Sequence, residues 1–200
     1  MTVCAIIAAM TTPEPPGVRL ARERAKSGGF ELSSENGVGA LLASLAAAVR
    51  PDGTIVELGT GAGVGLAWIV HGIGARTDLV VHTVDVDSAM LAATSAAGWP
   101  SFVHFIEGDG ARLVSELAPV DLVFADAAGG KIDGLERTID ALRAGGILIV
   151  DDMDPSLHEN DDLHDAINRV RRVLAEHPDL VTAELDFGSG VVIATKREPA

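Results

Sequence analysis

The residues best equipped for chemistry in this chain are acids and glycines gathered where apolar runs end. The densest group is Glu57-Leu58-Gly59-Thr60-Gly61-Ala62-Gly63-Val64-Gly65. Glycines let the backbone turn sharply there and bring a ligand up to the start of the following helix, whose free N–H groups point outward. Spacing narrows the ligand. A G-x-G-x-x-G dinucleotide fingerprint begun at Gly59 needs glycine where Val64 stands; begun at Gly61 it needs a small residue where Leu66 stands. No G-x-x-x-x-G-K-S/T stretch exists, so a P-loop is excluded. What remains is E-x-G-x-G-x-G.

One βα unit further on, His82-Thr83-Val84-Asp85-Val86-Asp87 closes a second apolar run in acid. A carboxylate at that place accepts both hydroxyls of a ribose. Asp85 is assigned to it, with Asp87 in reserve because Asp87 also suits the N-cap of Ser88–Ala97. Glu107-Gly108-Asp109-Gly110-Ala111 repeats the pattern, and Asp109 reads equally as a ligand contact or as the N-cap of Ala111–Leu117. Two further runs end in Asp126 and in the pair Asp151-Asp152. If their strands point the same way, these three carboxylates converge into a hard, oxygen-only site of the kind that takes Mg²⁺, Ca²⁺ or Mn²⁺.

Positioning these groups requires alternating strands and helices. The strands are expected at Thr54–Leu58, Leu79–Val84, Phe102–Ile106, Asp121–Ala125 and Ile147–Val150. Amphipathic spacing places helices at Val38/Leu41/Leu42/Leu45/Val49, over Leu66–His71, at Leu135/Ile139/Leu142 (stopped by Gly145-Gly146), and at Leu163/Ile167/Val170/Leu174. Val181–Leu185 and Val191–Thr195, joined by a short glycine turn, must pair antiparallel. The expected fold is α/β: a Rossmann-like, doubly wound, mostly parallel seven-stranded sheet ending in an antiparallel hairpin, with helices on both faces. Residues 1–34 lack this rhythm and are expected to form a helical or flexible extension; residues 35–200 form one ligand-binding domain. Met153–Asp162 is a candidate lid, with His158 in it more simply solvated than catalytic.

Composition excludes whole classes. With a net charge of −14 and no Lys/Arg stripe, the chain is a poor partner for nucleic acid or an anionic membrane. A single cysteine, Cys4, forbids an intramolecular disulfide. Val3–Met10 is apolar but short, lacks a basic flank and runs into prolines, so the expected location is cytoplasmic.

The glycine turn, the acids after successive strands and the terminal Asp186-Phe187-Gly188-Ser189-Gly190-Val191-Val192-Ile193-Ala194-Thr195-Lys196 stretch together resemble the class I S-adenosylmethionine-dependent methyltransferases. Within them the layout is similar to the O-methyltransferases of the catechol and caffeoyl-CoA type, over roughly residues 30–197. The resemblance implies S-adenosylmethionine contacts at Glu57, Gly59, Thr60, Gly61, Gly63, Gly65, Asp85, Gly108, Asp109, Gly110 and Asp126. In that family the strand-end acid, here Glu57, holds either the amino group or the loop. It also implies a divalent cation (Mg²⁺ or Ca²⁺) on Asp126, Asp151 and Asp152, a small hydroxylated, catechol-like acceptor and a homodimer. That family's D-A-D-K segment is altered here, with Ala128 at the second acid and Gly129 at the lysine; Lys131 reaches the same space only if Gly129-Gly130 bulges. Catalysis is therefore expected from Asp126 and Lys131. The alternatives are a metal-independent N- or C-methyltransferase and a catalytically silent S-adenosylmethionine-binding module.

Overall fold

The computed structural model describes residues 13–30, 32–158 and 160–198; the Val3–Met10 run lies outside them. Seven strands form one sheet: β1 (Thr54–Leu58), β2 (Val80–Asp85), β3 (Val103–Glu107), β4 (Val120–Ala125), β5 (Leu142–Val150), β6 (Leu180–Leu185) and β7 (Val191–Lys196). Their order is β3-β2-β1-β4-β5-β7-β6. The first five run parallel, and β7 pairs antiparallel with both β5 and β6. The expected fold class is the one observed.

Both faces of the sheet are covered, which is why the central strands read as continuous apolar runs rather than alternating ones. On one face, Ile55, Leu122, Phe124 and Ile149 pack against α2 (Asn36–Ala48) and α3 (Val64–Ile73). On the other, Val56, Leu58, Val123 and Leu148 meet α5 (Gly110–Glu116), α7 (Leu135–Ala141) and α8 (Asp161–Glu176). The extension contributes α1 (Pro16–Ser27), whose fully buried Val18 and Ala21 pack with Trp68 of α3. The remaining helices are α4 (Ser88–Ser95) and the short α6 (Ala128–Lys131). Among the described residues no helix is long and apolar enough to cross a membrane.

Helices α2 and α3 lie unusually close because each offers the other a glycine. A Cβ at Gly72 would collide with the Ala43 carbonyl, and one at Gly39 with the Trp68 indole. Gly72→Ala is expected to lower stability by about 2–3 kcal/mol through this overpacking, read as a drop in the urea midpoint at unchanged m-value.

One element differs from expectation. Leu142 is the first residue of β5, not the last of a helix, and it pairs with Val120 before the register shifts to Leu122↔Ile147. Gly145, at φ +75°, takes up that shift as a bulge within the strand. A glycine pair after an apolar helical run signals a helix stop and a strand bulge alike.

Candidate active site

Strand order reverses between β1 and β4, and ligands in open α/β sheets settle outside the carboxyl ends of the strands at such a point. A cleft of about 680 Å³ opens there. Of the expected cofactor contacts, Gly59, Thr60, Gly61, Gly65, Asp85, Gly108, Asp109, Gly110 and Asp126 line it. Glu57 and Gly63 do not.

The loop after β1 depends on conformations open only to glycine. Gly59 sits at φ +105° and Gly61 at +47°. A Cβ at Gly59 would approach the Asp126 carbonyl carbon to 3.1 Å, so the β1 and β4 turns touch backbone to backbone. Asp85 fastens the loop from the β2 side: its Oδ2 accepts from Gly61 N–H at 2.9 Å and its Oδ1 from Asp87 N–H at 2.9 Å. Lone pairs remain on both oxygens for a ligand. Asp87 is spent as the N-cap of α4, accepting from Ala89 and Met90 N–H. Asp109 caps α5 through Ala111 N–H at 2.9 Å while still facing the cleft, so its two readings are compatible.

Glu57 lies beneath the loop, fully buried. Thr83 Oγ1 donates to its Oε2 at 2.5 Å, and Thr60 Oγ1 lies 2.6 Å from Thr83 Oγ1. Burial, with lesser repulsion from Asp126 and Asp85, pushes the Glu57 carboxyl well above the usual carboxylate range; the Thr83 hydroxyl pulls the other way. Glu57 is connected to the loop through Thr83 and Thr60. Glu57→Gln, which keeps the shape and an acceptor oxygen for the Thr83 hydroxyl, is expected to destabilise the protein less than Glu57→Ala, which leaves a cavity and costs about 2–4 kcal/mol, read as the difference in urea midpoint between the two variants. Gly63 is buried away from the cleft, where a Cβ would meet Thr94 and Trp99 at 2.8 and 2.9 Å. Thr94 Oγ1 in turn donates to Gly61 O at 2.8 Å.

At the β4–β5 end of the cleft, Asp126 projects from the end of β4, with Ser34 Oγ 3.4 Å from its Oδ2. Burial raises its carboxyl to about 8, helped by the charges of Asp151 and Asp152 and opposed by Lys131 and Ser34. Asp151, at 2% exposure, spends Oδ1 on Ser189 Oγ at 2.7 Å and on Asp152 N–H at 2.9 Å. Asp152 adopts φ +58°, a region unusual for a residue with a side chain. Lys131 does not line the cleft. It is buried behind it, donating from Nζ to Asp151 O at 3.1 Å and to Asp152 Oδ2 at 3.3 Å.

The three acids expected to hold a metal, Asp126, Asp151 and Asp152, all line the cleft. Among the described residues no group of three His, Cys, Asp or Glu side chains is placed to hold an ion. One oxygen of each acid is already engaged: Asp126 Oδ2 faces Ser34, Asp151 Oδ1 faces Ser189 and the Asp152 N–H, and Asp152 Oδ2 faces the Lys131 ammonium. Ser34 and Ser189 carry no signal in the sequence, because each comes from a distant turn; a serine between two glycines in a closing hairpin is the only hint. His158 does not line the cleft.

The cleft is strongly acidic. Glu35, Asp85, Asp109, Asp126, Asp133, Asp151 and Asp152 face it, and among the described residues no Lys, Arg or His does. The residues outside the description contain none in their sequence.

A sheet of this order, with a glycine loop after β1 and an acid fastened under it from β2, is that of the class I S-adenosylmethionine-dependent methyltransferases. Residues 56–153 match the family model described as a methyltransferase domain. The Mycobacterium tuberculosis protein named "Probable O-methyltransferase" is 31% identical over 191 residues, 88% of this chain and 83% of that one. A Mycobacteroides abscessus protein, also named as an O-methyltransferase, is 32% identical over 174 residues, covering 80% of this chain and 79% of its own. The chain belongs to this family of S-adenosylmethionine-dependent O-methyltransferases. Solved structures share the fold. The O-methyltransferase TomG from Streptomyces achromogenes, in complex with SAM, superposes with a TM-score of 0.79 at 19% identity over 94% of this chain and 93% of its own. A Bacillus cereus O-methyltransferase in complex with SAH gives 0.80 at 17% identity over 94% of both chains.

Proposed function

We propose that this chain transfers the methyl group of S-adenosylmethionine to a hydroxyl of a small, uncharged or amine-bearing acceptor of catechol-like size, without a divalent cation. The loop Gly59–Gly65 and Asp85 hold the cofactor across the switch point, with the methyl directed toward the Asp126 end of the cleft. The acceptor hydroxyl lies between that methyl and Asp126. In one in-line step the acceptor oxygen bonds to the methyl carbon and the carbon–sulfur bond breaks. Neutral S-adenosylhomocysteine leaves, and the hydroxyl proton passes to the Asp126 carboxylate. The sulfonium is already a good electrophile, so alignment and deprotonation are what the protein supplies.

The observation that carries the acceptor class is the acid-only lining of the cleft. An anionic acceptor, such as a coenzyme A thioester or a phenolic acid, enters against a field of one sign, while the cationic cofactor and an amine are drawn in. Matched phenolic substrates differing only in an amine, a carboxylate or a coenzyme A tail test this. The amine is expected to show kcat/KM at least about tenfold above the anions at low salt, with the gap closing as salt screens the field. Equal turnover of the coenzyme A thioester would overturn the acceptor class.

A further inference from the structure

We infer that the Lys131 ammonium is the built-in cation of this site: it occupies, between the ends of β4 and β5, the role a divalent ion would otherwise fill. The inference rests on reading the cleft as the methyl-transfer site and deepens that reading. Its basis is how the chain is bent to deliver the side chain. Helix α6 is broken at Gly129 (φ −69°, ψ 113°) and Gly130 (φ +97°, ψ −19°). Only glycine serves at the second of these, because a Cβ on Gly130 would collide with the Leu58 side chain. Thr138 Oγ1 locks the bend by donating to Gly130 O at 2.8 Å. Beyond the bend, the Lys131 side chain turns back under the sheet edge, where it is 9% exposed.

The acids are arranged around that ammonium. Asp151 presents its backbone oxygen to Nζ at 3.1 Å and Asp152 its carboxylate at 3.3 Å. Asp152 reaches it from a left-handed backbone, a conformation that costs a non-glycine residue and persists only when its surroundings enforce it. Here Asp152 N–H is tied to Asp151 Oδ1 at 2.9 Å, and that oxygen also receives Ser189 Oγ at 2.7 Å. A fixed monovalent cation therefore balances part of the acid at the strand ends, and donors hold one oxygen of each of Asp126, Asp151 and Asp152. The acceptor is consequently not held by chelation, and one hydroxyl suffices where a metal site selects a vicinal pair.

The test is a Mn²⁺ titration followed by the electron paramagnetic resonance of the free ion, on wild type, Lys131→Ala and Lys131→Arg, with S-adenosylhomocysteine affinity measured on each. Wild type and Lys131→Arg are expected to bind no Mn²⁺ up to about 1 mM, and Lys131→Ala to gain a single site at least about tenfold tighter than that. One Mn²⁺ bound by wild type below about 100 μM overturns the inference. So does a Lys131→Ala protein that binds S-adenosylhomocysteine normally and yet gains no Mn²⁺ site, since the ammonium is then not what stands in the ion's place. Should Lys131→Ala misfold, Lys131→Met keeps the stem and removes the charge. Loss of S-adenosylhomocysteine binding by wild type would instead count against the cleft reading itself, so the two failures are distinguishable.

Discussion

Asp126→Asn is expected to lower kcat for methyl transfer by about 10²–10⁴-fold while leaving S-adenosylhomocysteine affinity within about threefold. The substitution is nearly isosteric, keeps an acceptor for the Ser34 hydroxyl, and removes only the ability to take a proton. Asp126 lines the cleft at the end of β4, and burial next to Asp151 and Asp152 raises its carboxyl to about 8. A base with that pKa is partly ionised near neutrality and strong enough to draw a phenolic proton. The rate in wild type should therefore rise with pH through about 8 and level off above it, and the limb should vanish in Asp126→Asn. Stability runs the opposite way. This carboxyl goes from 3.8 to about 8 on folding, so the folded state binds more protons than the unfolded one across that window. Its contribution is complete below the lower value and is lost as pH rises through the upper one. Asp126→Asn should accordingly raise the melting temperature at pH 9 more than at pH 5. An unchanged pH–rate profile in the variant would remove Asp126 from the chemistry.

Asp85→Ala is expected to weaken S-adenosylhomocysteine binding by about 100-fold or more, roughly 2.7 kcal/mol. Two losses combine. The Gly61 and Asp87 N–H groups, each 2.9 Å from this carboxylate, lose their acceptor, at about 1–3 kcal/mol apiece where water cannot replace it. The ligand loses the acceptor for its ribose hydroxyls as well. Asp85→Asn should fall between, since one amide oxygen can serve only one of the two N–H groups. Calorimetry on both variants checks the order, and Asp85→Ala within threefold of wild type would refute this role.

The cofactor half of the site was legible in the sequence because its requirements are local. Three glycines at alternating positions after a β-branched run, and an acid at the end of the next such run, each follow from one stretch of chain. The acceptor half was not, because it is assembled from turns far apart. Whether Asp126, Asp151 and Asp152 share an ion depends on Ser34 and Ser189, which approach from opposite ends of the chain. Where Lys131 points depends on the φ of Gly130 and on Leu58 beneath it. Glu57 shows the same division. Its place at the end of β1 follows from pattern, but its burial below the loop depends on Thr83, which stands opposite it across the β1–β2 pairing.

The most direct test of the central claim is calorimetric titration of the wild-type protein with S-adenosylhomocysteine, using NAD⁺ as the control. One site of micromolar affinity, about −8 kcal/mol, is expected for the first ligand and none for the second. No binding of S-adenosylhomocysteine, or equal binding of NAD⁺, would contradict it.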